Sequence, residues 1–387
     1  MHVARERSFS PRRGEKVAAQ RSDEGRRNDG GKASRPETRK PRGQAPPLIP
    51  GCAGPSPRKR GEGSLTTPDA VTAPLRQILR ALGRTGASGL AASLIAGLVV
   101  PGLGAWLKPA LPVFVGMFVA MMLARLDLAR ARAHLRRPVA LAATLVFMIC
   151  ALPLGLAAAL TLVGRGAVEP GLLLALSLQA AAAPILATPA IAVLIGLDAA
   201  FVVVALVTHM AVLPLVAPAL ASFVAGDAVP LDGWAIARNL ALLLSGAALT
   251  AFLARRRWTL GRIEAAKGEL DGINLILMFA FALAIMDGVL ARLFAEPGTV
   301  ATHLAAAFAV AGGGLLVGFL ALRPLIGAGD AYVMSYAAGH RNVGLMIAAM
   351  GGVLPDSTWL YFALAQAPIY LTPLLLARLA PRLQLRD

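Results

Sequence analysis

Charge is scarce in this chain. Of 387 residues, 15% are Asp, Glu, Lys or Arg, against about 25% in a soluble domain. The small share is also uneven, since the first 66 residues hold 16 of the 38 Lys and Arg. Cysteine is nearly absent. Cys52 stands in the N-terminal stretch and Cys150 inside an apolar run, which excludes a disulfide framework or a cysteine metal cluster. "LIPGC" ending at Cys52 lacks the apolar stretch that should precede a lipidation site. No Ser-His-Asp set, metal-ligand cluster or phosphate loop stands in the apolar part, which argues against a membrane enzyme or sensor. "AGGGLLVG" at 311–318 reads as small residues for helix packing, not as a nucleotide loop.

What remains is apolar. Hydrophobic residues make up 57% of the chain and mean hydropathy is positive, as in a polytopic membrane protein. The net charge of +17 does not point to nucleic acid, because the basic residues lie in the tail and loops, where membrane proteins keep them.

Residues 1–70 are rich in Arg, Gly, Pro, Ser and Glu, as in "SPRRGEKVAAQRSDEGRRNDGGKASRPETRKPRG". Such a segment cannot bury enough apolar area to offset chain entropy and is expected to be disordered. It serves either as a lipid-surface tether or as an extension without a role. Residues 71–84, through "PLRQILRALGR", put Leu75, Ile78, Leu79 and Leu82 on one face and Arg on the other, the pattern of a short interfacial helix.

Ten apolar stretches follow within a domain over 85–380. They lie near 88–100, 109–127, 138–161, 170–195, 199–223, 233–253, 271–294, 301–322, 329–351 and 358–379, with 381–387 left as a tail. Lys and Arg crowd the loops after the second, sixth and eighth stretches and the chain end. The alternate loops, "VGRGAVEP", "AGDAVPLDGW", "FAEPGT" and "LPDST", are poor in them. The positive-inside rule then puts both termini in the cytoplasm, with the protein in the inner membrane.

Ten divides into five plus five, so the second half enters the membrane inverted, as in many secondary transporters. The fourth and ninth stretches share a defect at mid-depth. The fourth carries Pro184 and Pro189, and the ninth carries Gly339-His340-Arg341-Asn342 within "YAAGHRNVGL". Proline removes a backbone donor and clashes with the preceding turn, and glycine weakens a helix. Freed backbone groups at membrane depth are tolerated only inside protein or along a water-filled cavity. Paired broken helices therefore point to a transport site, and His340 and Arg341 are expected to line a cavity there.

Arg341 is read as functional, since Arg at mid-membrane costs about 2.5–3.5 kcal/mol even on the lenient scale. His340 either carries a proton or turns its ring to a neighbouring carbonyl. Asn342 is placed to cap the second half-helix. His209 at mid-depth serves as a packing hydrogen bond or as part of the site. Gln179 and Gln366 bond either a substrate or a neighbouring helix. Asp287 is interfacial.

"APILATPAIAVLIGLDAAFVVVALVTHMAVLPLVAP" and "GHRNVGLMIAAMGGVLPDSTWLYFALAQAPIYLTPLL" resemble the bile acid:sodium symporter family, and the resemblance extends over roughly 85–380. It implies an all-α membrane protein of ten transmembrane helices, in two inverted five-helix repeats, with the fourth and ninth broken and crossing. It also implies transport of organic anions. In sodium-coupled members the ninth span carries Glu-x-Gly-x-Gln-Asn. The same frame here is Ala337-Ala338-Gly339-His340-Arg341-Asn342, so Gly and Asn match while the acid and amide do not. The remaining sodium ligands of the family fall on Thr188, Pro189, Val202 and Leu206, of which only Thr188 offers a side-chain oxygen. The resemblance thus implies a scaffold kept and a sodium site lost, with Arg341 standing where the metal stood. The expected substrate site comprises Arg341, His340, Asn342, Thr188, Gln179, His209 and Gln366, with helix breaks at Pro184, Pro189 and Gly339. The expected partners are a small organic anion and membrane lipid, with no metal and no other cofactor. A proton-coupled or uncoupled exporter of an anionic metabolite or oxyanion is the competing reading.

Overall fold

The computed structural model describes residues 68–379 apart from 100, 101, 128, 130, 131, 133–136 and 198. The basic tail before residue 68, Cys52, Asp198 and the C-terminal tail at 381–387 lie outside the described residues. Every regular element among those described is a helix.

Helix α1 spans Pro68–Val99. It carries both the amphipathic stretch expected at the interface and the first apolar run, because no proline separates them. A short turn of helix, α2 (Leu103–Leu107), leads through residues 108–110 into α3 (Leu111–Ala124). Then come α4 (Pro138–Val163), α5 (Pro170–Ala181), α6 (Thr188–Leu194) and α7 (Ala200–Ala225). The second part of the chain holds α8 (Gly233–Arg257), α9 (Leu260–Ala265), α10 (Lys267–Met286) and α11 (Val289–Ala295). It closes with α12 (Pro297–Ile326), α13 (Ala328–Gly339), α14 (Val343–Ala349), α15 (Asp356–Leu364) and α16 (Gln366–Leu379).

Seven of these segments are long and apolar enough to cross a membrane. The chain is an all-α polytopic membrane protein. The three expected stretches outside the seven are the first, on α1, and the fourth and ninth. The last two are each divided into pieces of 12 and 7 residues. A 12-residue helix rises about 18 Å, well short of a hydrocarbon core of about 30 Å.

Helix α8 illustrates how sequence fixes a span. The Asp232 carboxylate accepts from the Ala235 N–H at 3.0 Å and starts the helix. Arg255, Arg256 and Arg257 occupy its last turn, where cations favour the helix dipole. Trp234 and Trp258 mark its two ends and are both exposed. They are 24 residues apart, about 36 Å along the axis, which suits two interfacial rings. Large apolar side chains such as Leu162 and Leu215 face outward, 90% and 80% exposed. An apolar exterior of this kind belongs against lipid.

Inside, small residues let helices touch backbone to backbone. A Cβ on Gly314 of α12 would lie 2.3 Å from Gly339 Cα, and one on Gly339 would lie 2.3 Å from Ala311 O. Gly339 is thus needed for close packing of α13 on α12, and the interruption begins only after it. The largest helix contacts pair α1 with α10, α12 with α13, and α3 with α8.

Candidate functional site

The two interruptions meet. After α5 the chain runs extended at Ala182, and after α13 it runs extended at His340. Pro184 and Arg341 then face each other in a single antiparallel bridge. The Ile185 N–H donates to His340 O at 3.0 Å, and the Asn342 N–H donates to Ala183 O at 2.8 Å. Each broken helix thereby satisfies backbone groups that the other leaves free, which answers the cost of unpaired amides at membrane depth. Pro184 has no N–H to leave unpaired at this rung. Pro189 is the second residue of α6, where proline starts a helix without losing a bond.

Arg341 fills the crossing. It is 1% exposed. Its Nε donates to Ala338 O at 3.1 Å, its Nη1 to Ala182 O at 3.2 Å and its Nη2 to Met148 O at 2.9 Å. Ala338 lies in the last turn of α13, and Ala182 directly follows α5. Their carbonyls are among those a helix C-terminus leaves open, at the negative end of its dipole. One guanidinium thus caps both broken helices and ties them to α4. Among the described residues none of the ion pairs involves Arg341.

His340 turns its ring away from the bridge and stacks on Tyr336, with centroids 4.2 Å apart. Its Nδ1 is 3.0 Å from Tyr336 O. Its Nε2 is 3.2 Å from Pro368 O and 3.0 Å from Thr372 Oγ1 in α16. Of the two expectations for this ring, the carbonyl contacts are what the structure displays. The Thr372 hydroxyl can donate to a neutral Nε2, and Pro368 O can accept from a protonated one. The ring is therefore partnered in either state.

Asn342 caps α14, its Oδ1 accepting from the Leu345 N–H at 3.3 Å. Thr188 is buried and donates to Ile185 O at 2.7 Å. Gln179 stands at the same interruption, where its carbonyl accepts from the Ala182 N–H at 3.2 Å. Its buried Oε1 has no partner among the described residues, and neither has Nδ1 of buried His209, which lies within electrostatic reach of Arg341. Gln366 turns its amide to Phe362 O of the preceding turn, at 3.2 Å.

Arg341, His340, Asn342, Thr188 and Gln179 thus converge on one crossing, with His209 nearby and Gln366 engaged on its own helix. The crossing is closed around His340 and Arg341, each 1% exposed, where an open cavity was expected. Tyr336 and Thr372 were not anticipated as parts of it. Tyr336 precedes His340 by four residues on a helix, a spacing that stacks side chains, and this was the available signal. No protein-family model matches the chain, and no curated protein matches it in sequence.

Proposed function

We propose that this protein is a secondary transporter of a small organic anion, built as ten spans in two inverted five-helix repeats like the bile acid:sodium symporter family. The observation that carries the reading is the crossing itself, with a buried guanidinium holding the carbonyl ends of two equally divided helices. The packing supports a repeat. If α1–α7 and α8–α16 are halves related by a two-fold axis, the contact of α1 with α10 and that of α8 with α3 are the same contact made twice. Both halves also carry the 12-plus-7 division.

In this reading Arg341 takes the place of a coupling sodium. A sodium ion needs a cage of oxygens. The positions where the family resemblance puts its ligands here bear Ala337, Arg341, Pro189, Val202 and Leu206, which offer no side-chain oxygen, Thr188, whose hydroxyl donates to Ile185 O, and Asn342, whose Oδ1 accepts from the Leu345 N–H. The residues present do not fit the ion. A guanidinium supplies the positive charge instead, and it holds planar anions well. Its two N–H groups not directed at carbonyls, or all five once the crossing opens, would receive the substrate.

The test is uptake into proteoliposomes of a panel of organic anions and oxyanions, with and without sodium. The expected result is transport of at least one member, unchanged by sodium and lost in Arg341→Gln. Steep sodium dependence in the wild type, or transport indifferent to Arg341→Gln, would return Arg341 to a structural role. The second reading, a proton-coupled exporter, is favoured by the His340 ring, which keeps partners in both protonation states. A transmembrane pH gradient that drives the flux in wild type, and not in His340→Gln, would select it.

A further inference from the structure

Away from the crossing, three polar residues distant in sequence meet at the N-terminal ends of α5 and α15. Glu169 caps α5, accepting from the Gly171 N–H at 2.9 Å and the Leu172 N–H at 2.7 Å. Ser357, the second residue of α15, makes a short hydrogen bond to Glu169 Oε2. His303 of α12 is buried, with Nε2 2.9 Å from Ser357 Oγ and Nδ1 2.8 Å from Thr299 O. Thr358 adds a second tie, donating to Gly171 O at 2.8 Å.

The order of the groups excludes nucleophile activation. There, an imidazole stands between hydroxyl and carboxylate. Here the hydroxyl stands between imidazole and carboxylate, and the other ring nitrogen faces a backbone carbonyl.

Counting hydrogens gives a different role. Three contacts run in series: Thr299 O to Nδ1, Nε2 to Ser357 Oγ, and Oγ to Glu169 Oε2. Each needs one hydrogen. A carbonyl and a carboxylate bring none, serine brings one and a neutral imidazole brings one. The third must be an added proton. We propose that Glu169, Ser357 and His303 form a one-proton binding site whose occupancy clamps the N-terminal ends of α5 and α15 together. With the proton on the ring, Nδ1–H donates to Thr299 O, Nε2–H donates to Ser357 Oγ, and the serine hydroxyl donates to Glu169. The carboxylate then accepts three hydrogen bonds, the surroundings that keep it ionised. Burial pushes the Glu169 carboxyl up, but Ser357, the Gly171 and Leu172 amides and the His303 charge outweigh it and hold the group below its ordinary range. When the proton leaves, one serine hydrogen faces two acceptors and the clamp loses a bond.

Two neighbouring cations are engaged with other carboxylates. Arg292 of α11 pairs with Asp356 at 3.8 Å, and Lys108 pairs with Asp287 at 3.4 Å while lying over the Trp359 ring. Glu296 precedes α12 by one residue. The Tyr361 ring sits 6.4 Å from that of His303.

The site goes beyond the transport reading and does not depend on it. Its test is amide hydrogen exchange at 171–173 and 357–361 in the full-length protein in lipid nanodiscs, followed from about pH 6 to about pH 9. Wild-type protection factors are expected to fall with rising pH, by at most about tenfold per pH unit, the slope of a single linked proton, and only between the proton affinities of the open and the clamped states. Glu169→Gln brings the third hydrogen covalently, through its amide, while giving up the Leu172 N–H contact made by the same oxygen, so its protection at 172 is expected to be lower at every pH. It should keep the clamp and lose the pH dependence. Ser357→Ala should leave both segments weakly protected at every pH. Wild-type protection that is flat with pH, or a Glu169→Gln protein that keeps the wild-type slope, overturns the proposal even if Ser357→Ala fails to fold.

Discussion

Arg341 and Ala182 stand 159 positions apart in the chain, yet the guanidinium Nη1 of one lies 3.2 Å from the carbonyl oxygen of the other. The contact ties the end of α5 to the residue that interrupts the other broken segment. It is charge-assisted, which makes it about twice as strong as a neutral hydrogen bond. With the Ala338 and Met148 contacts it accounts for an arginine buried in an apolar run with no ion pair among the described residues.

Replacing Arg341 should therefore weaken both structure and binding. Losing one charged hydrogen bond costs about 1.5–3 kcal/mol, so Arg341→Gln should lower anion affinity by roughly ten- to a hundredfold. It should also lower the melting temperature in detergent. Arg341→Lys should recover only part of each, since a point charge cannot reach three carbonyls on diverging vectors. Affinity by calorimetry and melting by intrinsic fluorescence check the pair. Wild-type behaviour in both assays for Arg341→Gln would remove the guanidinium from the mechanism.

Gly314 offers a test in which two principles predict opposite signs. Helix propensity alone makes Gly→Ala stabilising by about 1 kcal/mol. The new Cβ of Gly314→Ala would lie 2.3 Å from Gly339 Cα, and overpacking of this kind costs about 1–3 kcal/mol. The obstacle is backbone, so it cannot swing aside. The expected outcome is a lower melting temperature and a displaced crossing; a higher one would mean that α12 and α13 separate freely.

Asn342→Ala removes the cap of α14 and should cost about 1 kcal/mol, while Asn342→Asp should retain the cap. Hydrogen exchange of the Leu345 amide reports on this directly. It should rise in the alanine variant and stay near wild type in the aspartate variant.

Acid should loosen the α5 end through Glu169. Its carboxyl lies below the unfolded value of about 4.3, so the stabilisation is present above that value and is lost as pH falls through the folded one. Thermal melts of wild type should decline from about pH 6 to about pH 3, around that carboxyl value, more steeply than those of Glu169→Gln. Parallel curves would show that the cap does not titrate with folding.

The interruptions were legible because proline and a run of polar residues stand out within apolar stretches. Pro184 and Gly339–Asn342 announce themselves, and Asn342 fits a cap by residue type alone. The partners of Arg341 were not legible, since a carbonyl belongs to every residue and only the crossing selects Ala182, Ala338 and Met148. Closure of the site was hidden for the same reason. The continuity of α1 was obscured by a change in pattern, from Arg-bearing amphipathic to apolar, that is no change in backbone. Glu169, His303 and Ser357 each read as an ordinary polar residue near a loop, and only the meeting of α5, α12 and α15 makes them one unit. The Glu169-Pro170 pair, a cap followed by proline at the first helical position, was the one local sign.

A cation bonded to the chain differs from a dissolved one in what it can do with a membrane potential. Sodium that binds with a substrate crosses with it, and its charge offsets the substrate's. The guanidinium of Arg341 stays with the protein. In a transporter built on it, with no other ion accompanying the substrate, a monovalent anion would cross electrically alone. With the interior negative, each such anion leaving the cell gains about 2.3 kcal/mol per 100 mV. Accumulation inside would have to work against the same amount, so voltage would bias this scaffold toward efflux.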